Sequence, residues 1–295
     1  AARLIQAVPN TSWNGTFADL PPSLSALDSS RVVVVPVPFE GTSEISGGVA
    51  QGPQAILAAS QQLEDYDAEL RTEVSYCGIH TRPPLEPASS GPEGLIASLK
   101  ESVVAYSDRL VVALGGEHCL TLGMVSAFLP RYPGLSVLCL DAHADMRDEY
   151  LGLRLGHASV MRRVAELCPV VLVGARLLCR EEAEFLDRAG ARVFLARDYL
   201  PREPVAEVVA ALGPQVYVRV DLDVLDPSLM PAVTHPVPGG LNWEATLRLL
   251  RAVARERHVV GFDVVELAVD KGPPSCASVA AHLVYKLIGY SLASR

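Results

Sequence analysis

The sequence predicts an α/β protein with a mostly parallel sheet that is covered by helices on both faces. Short runs rich in Val and Leu alternate along the chain with longer stretches of helical periodicity, the order that βαβ units produce. The short runs are continuously apolar, as expected for strands that are buried on both faces. With 295 residues, 49% of them hydrophobic, the chain can also bury the large core that such a fold needs.

The strands are predicted from the apolar runs, in chain order, at Arg31–Val37, Leu110–Leu114, Leu135–Leu140, Val170–Val173, Val193–Leu195, Val216–Val220 and Val259–Phe262. The helices are predicted where apolar residues recur with a helical period. They cover Pro53–Leu63, Glu93–Tyr106, Leu120–Leu129, Ala158–Glu166, Arg180–Ala189, Pro204–Ala211, Trp243–Arg255 and Ser278–Tyr290. This alternation places most helices between successive strands.

The domain organisation is expected to be simple. The sequence has no internal repeat, no low-complexity tract and no convincing linker, so a single domain over residues 1–295 is predicted. Residues 1–30 lack a clear period and are predicted to form an N-terminal extension. The Pro- and Ser-rich stretch Pro83–Pro92 is predicted to be a surface loop.

Charge and cysteine content narrow the possible partners. A net charge of −9, a pI near 5.3 and the lack of a basic stripe argue against nucleic acid and acidic membrane surfaces. A small, cationic partner is expected instead. The six cysteines form no CxxC pair, which favours a reducing, cytoplasmic compartment. No apolar segment approaches the roughly 18 residues of a membrane span, so neither insertion nor export is expected.

Four of the predicted strands end in groups of acidic residues and histidines. The sequences that follow them are GGEHC, DAHAD, DLDVLDP and DVVEL. In parallel sheets ligands bind at the carboxyl ends of the strands. The candidate residues delivered to this edge are Glu117, His118, Asp141, His143, Asp145, Asp221, Asp223, Asp226, Asp263 and Glu266.

So many carboxylates in one place would repel each other unless cations neutralise them, because a buried uncompensated charge costs several kcal/mol. Asp141, His143 and Asp145 alternate at period two and share a face if the strand geometry continues. A set of imidazoles and carboxylates suits Mn, Zn, Fe or Ni, and it is large enough for two ions that activate water. Asp226, which precedes a proline, is interpreted as a turn former and Asp263 as a supporting group.

These motifs resemble those of the ureohydrolase family, which contains arginases and agmatinases. The resemblance spans nearly the whole chain, through VPVPFEGTSEISGGVAQGPQAI, GGEHC, DAHADMRDEY, GHASVMRR, DLDVLDP with PGGL, and FDVVEL. The third and fourth of these look most like prokaryotic agmatinases. The resemblance implies the three-layer fold of the arginase and deacetylase type, usually assembled as homotrimers or homohexamers.

The resemblance also implies a centre with two Mn²⁺ ions per chain. By analogy, one ion would be held by His118, Asp141, Asp145 and Asp221, and the other by Asp141, His143, Asp221 and Asp223. Three residues are expected to be catalytic. Asp145 would accept a hydrogen bond from the attacking hydroxide, His157 would carry a proton to the leaving amine, and Glu266 would pair with the guanidinium.

The implied reaction releases urea and an amine from a linear guanidino compound, with agmatine expected and putrescine as its product. Two pairs of residues are candidates for binding the far end of the substrate. Asp148 and Glu149 would suit a distal ammonium, whereas Arg147 and Arg154 would suit the acid group of guanidinobutyrate or guanidinopropionate. Arginine is a further candidate substrate.

Several positions depart from the family pattern. Glu117 and Cys119 stand where the family usually has Asp and Ser, and Ala232 and Thr234 replace glycines, with the expected effect of narrowing the mouth of the pocket. These departures leave open a pseudoenzyme that keeps its metals without turnover. A deacetylase of the related fold, which uses a single zinc, is disfavoured because it does not need His118 and Asp145.

Overall fold

The computed structural model describes residues 15–45, 47–85 and 91–293. Within them, one eight-stranded sheet has all its neighbouring strands parallel, in the order β4-β1-β5-β10-β9-β6-β7-β8. Its strands are β1 (Val32–Val37), β4 (Ile79–Thr81), β5 (Leu110–Gly115), β6 (Leu135–Leu140), β7 (Val170–Val173), β8 (Arg192–Phe194), β9 (Gln215–Asp221) and β10 (His258–Val265). A separate antiparallel pair consists of β2 (Tyr66–Asp67) and β3 (Thr72–Glu73).

Helices pack on both faces of the large sheet. They are α1 (Pro22–Ser25), α2 (Gly52–Ser60), α3 (Gly91–Val104), α4 (Leu120–Phe128), α5 (Val160–Ala165), α6 (Arg180–Ala189), α7 (Ala196–Tyr199), α8 (Val205–Ala211), α9 (Trp243–Glu256) and α10 (Ser275–Ala293). Five short 3₁₀ helices complete the described elements, at Phe17–Asp19, Leu27–Ser29, Val49–Gln51, Val74–Cys77 and Leu222–Val224. The predicted fold class, a parallel sheet between layers of helices, is confirmed.

The sheet separates two apolar cores, because alternate residues of each strand point to opposite faces. In β1, Val32 and Val34 belong to one core, whereas Val33 and Val35 belong to the other. All four valines are at most 1% exposed, and each contributes about 1.5–3 kcal/mol by leaving water. This burial explains why the strands were readable as uninterrupted apolar runs.

The structure adds elements that the sequence analysis did not predict. Strands β2, β3 and β4 and helices α1 and α7 have two to four residues each, which is too short to establish a period. Predicted helix ends also differ by a few residues. The largest extension is in α10, which begins at Ser275 and ends at Ala293. Residues 1–14 of the predicted extension and 86–90 of the predicted loop lie outside the described residues.

Helix α10 corrects the expectation that no segment is apolar enough to span a membrane. By length and composition this 19-residue helix would be sufficient, but 67% of its apolar window is buried inside the protein. It packs against α2 and α9 and supports the sheet beside β10. Its apolar character is therefore that of a core helix.

Candidate metal centre and active site

The four motifs that follow strands in the sequence meet in the middle of the sheet. Strands β5, β10, β9 and β6 are consecutive neighbours, and their carboxyl ends bring the motifs to one edge. All the predicted ligands lie there beside Glu266, namely His118, Asp141, His143, Asp145, Asp221 and Asp223. Their donor atoms form two adjoining groups.

The outer group consists of Asp141, His143 and Asp223, whose donor atoms lie within 4.8 Å of one another. His143 Nδ1 is 2.8 Å from Asp223 Oδ2 and 3.6 Å from Asp141 Oδ1. The backbone N–H of Ala142 donates to Asp223 Oδ1 at 2.9 Å and fixes that carboxylate. One imidazole and two converging carboxylates are a donor set that fits a divalent transition metal.

The inner group consists of His118, Asp141, Asp145 and Asp221. His118 Nδ1 is 3.1 Å from Asp221 Oδ2 and 3.3 Å from Asp145 Oδ2. Every side chain in the group is buried. The donor types again suit a divalent ion, but another cation already lies among them.

That cation is Arg219, a residue that the sequence analysis missed. Its side chain is fully buried, and its Nη2 atom contacts His118 Nδ1 and donates to Asp221 Oδ2 at 3.0 Å and Asp145 Oδ2 at 3.2 Å. Its Nη1 atom donates to Asp141 Oδ2. The guanidinium therefore touches all four members of the inner group.

A signal for Arg219 was present in the sequence. In the strand segment Tyr217-Val-Arg-Val-Asp221, positions 217, 219 and 221 share a face. A charged residue on an otherwise apolar central strand requires a buried partner, and the predicted ligand Asp221 lies two positions away. The structure confirms this partner, because Arg219 Nη2 donates to Asp221 Oδ2 at 3.0 Å.

Two of the predicted catalytic residues have a left-handed backbone. Asp145 has φ +55° and Glu266 has φ +66°, a conformation that is uncommon for residues other than glycine and that costs about 1–3 kcal/mol. Glu266 is held in place by two hydrogen bonds. Its N–H donates to Gly116 O at 2.9 Å, and its Oε1 accepts from the His118 N–H at 3.2 Å. The fold thus stabilises a strained turn that directs this carboxylate into the site.

Burial alters the protonation of the centre. It raises the pKa of Asp141 to about 7, an effect to which the charge of Asp223 adds, and it raises the pKa of Asp145 and Asp221 well above the usual range. Burial would lower the pKa of His143, but hydrogen bonds to Asp141 and Asp223 raise it to about 11. The centre therefore favours bound cations or protons over free carboxylates.

Glu117, at the position where the family usually has Asp, organises the loop after β1. Its buried carboxylate accepts hydrogen bonds from the N–H groups of Gly41, Thr42 and Ser43, at 2.8–3.1 Å. The Thr42 hydroxyl also donates to it at 2.5 Å. Both carboxylate oxygens of Glu117, whose side chain is longer than that of Asp, therefore accept hydrogen bonds.

Thr42 connects this loop to His157. Its Oγ1 atom accepts from the His157 N–H at 3.0 Å and lies 3.2 Å from His157 Nδ1. The His157 ring also stacks parallel to those of His118 and His235, with centroids 6.3 and 6.5 Å apart. Burial, followed by the charge of His235, lowers the pKa of His157 to about 4. Helix α5 begins at Val160, three residues after His157, and His157 lines the cavity.

The site opens into a cavity of about 340 Å³ that is lined by every metal-ligand candidate except Asp141. Near its mouth, Tyr150 donates to Glu44 Oε1 at 2.9 Å, and Arg147 lies over the Tyr150 ring at 5.0 Å. Thr234 and His235 also line the cavity. Arg147 and Thr234 were predicted to lie at the pocket, whereas no role was predicted for Glu44 and Tyr150, although both lie within the quoted family motifs.

The other predicted tail-binding residues lie outside the cavity lining. Asp148 Oδ1 forms ion pairs with Arg163 at 2.7 Å and with Arg154 at 3.3 Å. Both Asp148 and Arg154 therefore already have a partner of opposite charge within the protein. Glu149 is exposed and does not line the cavity. Of the four residues proposed for the substrate's far end, only Arg147 reaches the cavity.

Two further residues support the centre from outside. Arg176, which the sequence analysis missed, donates to the carbonyls of Asp223 and Val237, each at 2.7 Å, and so ties the ligand loop together. Asp226 accepts from the N–H groups of Ser228, Gly239 and Gly240. Its role is the predicted turn rather than a metal ligand.

Comparison with known proteins identifies the family. The profile of the arginase family matches residues 30–289. An N(1)-aminopropylagmatine ureohydrolase of Synechocystis sp. is 36% identical over 91% of both chains, and one of Thermus thermophilus is 38% identical over 89% of this chain and 90% of that one.

Among solved structures, the agmatine ureohydrolase of Thermoplasma volcanium superposes with a TM-score of 0.82 at 28% identity, over 92% of this chain and 93% of that one. The match thus extends over nearly the whole fold. With this coverage and identity, the chain belongs to the arginase family and is a hydrolase of the ureohydrolase class that its motifs predicted.

Proposed function

We propose that this protein hydrolyses a linear guanidino amine, agmatine or its N1-aminopropyl derivative, to urea and the corresponding amine. The observation that carries the proposal is that Glu266 and His157 line one cavity together with His143 and Asp223 of the outer group. Water would add to the guanidinium carbon while its bond to the substituted nitrogen breaks. The two products are urea and the free amine.

The outer group is the proposed metal site, with Mn²⁺ as the ion. Asp141, His143 and Asp223 would hold it, and a bound divalent ion supplies a water of lowered pKa and electrostatic stabilisation of developing charge. The hydrogen bond from Ala142 keeps Asp223 in a fixed orientation. His143 is oriented by the same two carboxylates.

Glu266 is the proposed partner of the substrate guanidinium. A planar carboxylate and a guanidinium match in shape and charge, and such pairs are often bidentate. The N–H of His118 anchors Glu266 Oε1, and the left-handed turn fixes the direction of the side chain. The substrate carbon would thereby be oriented in the cavity, where Asp145 can accept a hydrogen bond from the attacking water.

His157 is the proposed proton carrier to the leaving amine. Thr42 gives its single hydroxyl proton to Glu117 and can only accept from His157. The neutral ring therefore carries its proton on Nδ1, which leaves Nε2 free to take a proton and pass it on. The lowered pKa of His157 keeps its ring neutral at neutral pH, so that Nε2 has a lone pair with which to accept a proton.

The mouth of the cavity supports a cationic tail. Glu44 is the acidic side chain there, and its carboxylate is oriented by Tyr150. A primary or secondary ammonium at the far end of the substrate would pair with it. The relatives named for aminopropylagmatine and agmatine support substrates of this type, and their names favour an amidinohydrolase over a deacetylase.

We further propose that the protein is a single-domain cytoplasmic enzyme that assembles as a homotrimer or homohexamer. The six free thiols of the described residues fit a reducing compartment. Light scattering of the purified protein would measure the assembly. A monomer in solution would contradict this part of the proposal.

The test is urea release by Mn²⁺-reconstituted protein from agmatine, N1-aminopropylagmatine, guanidinobutyrate, guanidinopropionate and arginine. We expect the two amines to be the preferred substrates. His143→Ala, which removes a ligand of the outer group, is expected to abolish release and serves as the control. Absence of urea from every compound, with Mn²⁺ bound, would overturn the proposed function.

A further inference from the structure

Arg219 sets this centre apart from the two-ion arrangement that the motifs predicted. Its guanidinium contacts His118, Asp141, Asp145 and Asp221, which are the four side chains expected to hold one of the two ions. The contacts come from both terminal nitrogens, and none of the side chain is exposed. Arg219 thus lies inside the inner group rather than beside it.

We propose that Arg219 is a permanent cation that takes the place of the inner metal ion, so that each chain binds a single ion, at the outer group. On this reading, His118, Asp145 and Asp221 hold the guanidinium, whereas Asp141 is shared between the guanidinium and the metal. The predicted second Mn²⁺ does not fit the inner group as it is built in this chain. The inference deepens the proposed function and rests on it for the ion at the outer group.

Charge supports this assignment. The three buried carboxylates of the inner group would be costly without a positive partner, and a guanidinium keeps its charge in proteins. Its planar fork can donate to several oxygens at once, as Nη2 does here to Asp145 and Asp221. A metal ion is therefore not needed to neutralise this half of the centre.

The donor atoms support it as well. A metal ion at the inner group would need the lone pair of His118 Nδ1 and the oxygens of Asp145 and Asp221. Those atoms face the guanidinium. An ion could enter only if Arg219 moved away, since the two cations would otherwise repel each other at contact distance.

Asp263, a further carboxylate beside Arg219, is a less favourable partner for the guanidinium than the inner group. Asp263 lies opposite Arg219 on β10, and Asp263 Oδ1 and Arg219 Nε have no hydrogen-bond partner among the described residues. Asp263 Oδ2, however, already accepts from Tyr217 at 2.7 Å and Thr121 at 2.9 Å. Arg219 would exchange three carboxylates for one that two hydroxyls already stabilise.

The experiment counts Mn²⁺ in the wild-type protein after loading and removal of free ions. We expect one ion per chain by elemental analysis, and an electron paramagnetic resonance spectrum with the resolved hyperfine pattern of an isolated ion. Arg219→Ser is expected to raise the count to two and to give the spectrum of an exchange-coupled pair. Two ions per wild-type chain, or none, would overturn the inference.

A matched pair of variants tests the same point without removing Arg219. His118→Ala is expected to keep one ion per chain, because His118 holds the guanidinium. His143→Ala is expected to bind none. If His118→Ala loses an ion that the wild type holds, the inference is wrong.

The two proposals fail in different ways. If the wild type binds two ions per chain and releases urea, the inference about Arg219 is wrong but the proposed function stands. If it binds one ion per chain and releases no urea, the proposed function is wrong but the inference stands.

Discussion

At the scale of single residues, the Thr42 hydroxyl links a buried carboxylate to the proposed proton carrier. It donates to Glu117, accepts from the backbone N–H of His157 and lies 3.2 Å from Nδ1 of the His157 ring. This arrangement fixes the tautomer of His157 and the direction of its free nitrogen. The sequence could not predict the link, because residues 42, 117 and 157 are far apart along the chain and come together only in the fold.

Thr42→Val is expected to lower kcat about tenfold. This is a fraction of the roughly 10²- to 10⁴-fold rate enhancement that a general acid–base group contributes. The ring of His157 loses the acceptor that orients it, whereas substrate contacts are unchanged, so KM should remain near its wild-type value. Thr42→Ser keeps the hydroxyl and is the matched control. Steady-state urea release measures both variants, and equal activity of Val and wild type would rule out the link.

Glu44 offers a second prediction at this scale. Glu44→Gln is expected to raise KM for agmatine about fivefold, because an exposed ion pair contributes up to about 1 kcal/mol. The KM for guanidinobutyrate, whose tail is an anion, should not rise. Glu149→Gln, which changes an exposed acid outside the cavity, is the control. A higher KM for agmatine in Glu149→Gln but not in Glu44→Gln would instead support the prediction from the sequence that Glu149 binds the distal ammonium.

At the scale of elements, the ends of the central strands explain why the site was predictable. Each of β5, β6, β9 and β10 is an apolar run that stops at polar residues, so the position of those residues followed from the strand alone. Arg219 was missed because it lies within a strand, before the polar end. Glu44 was missed because its position depends on how the loop after β1 folds over the site.

Arg176 ties together two segments that follow strand β9. It donates to the carbonyls of Asp223 and Val237, and also to Gly174 O. Arg176→Met should leave these carbonyls unpaired and reduce the free energy of unfolding by about 2–4 kcal/mol. Denaturant unfolding measures this change, with the exposed Arg180→Met as control. A loss no larger than that of the control would show that the loop holds without Arg176.

At the scale of the whole molecule, the acidic centre lies in the middle of the sheet, between the two apolar cores. Its four strands are held by both cores at once. A rigid sheet can therefore keep carboxylates close together that would separate in a flexible chain. The folded state contributes this proximity, and a bound cation contributes the charge that stabilises it.

Mn²⁺ is accordingly expected to stabilise the whole chain, because the outer group exists only in the folded state. At an ion concentration about 100 times Kd, the gain is about 2.7 kcal/mol, which corresponds to a rise in Tm of about 5 °C for a chain of this size. Differential scanning calorimetry with and without a chelator measures the shift.

His143→Ala is the control for this effect. Because it removes the imidazole of the outer group, its Tm should not respond to Mn²⁺, whereas the Tm of His118→Ala should still rise if Arg219 fills the inner group. A full rise in His143→Ala would mean that the stabilising ion binds elsewhere, since no other imidazole joins Asp141 and Asp223 among the described groups. The response of the whole fold thus reports which half of the centre takes the metal.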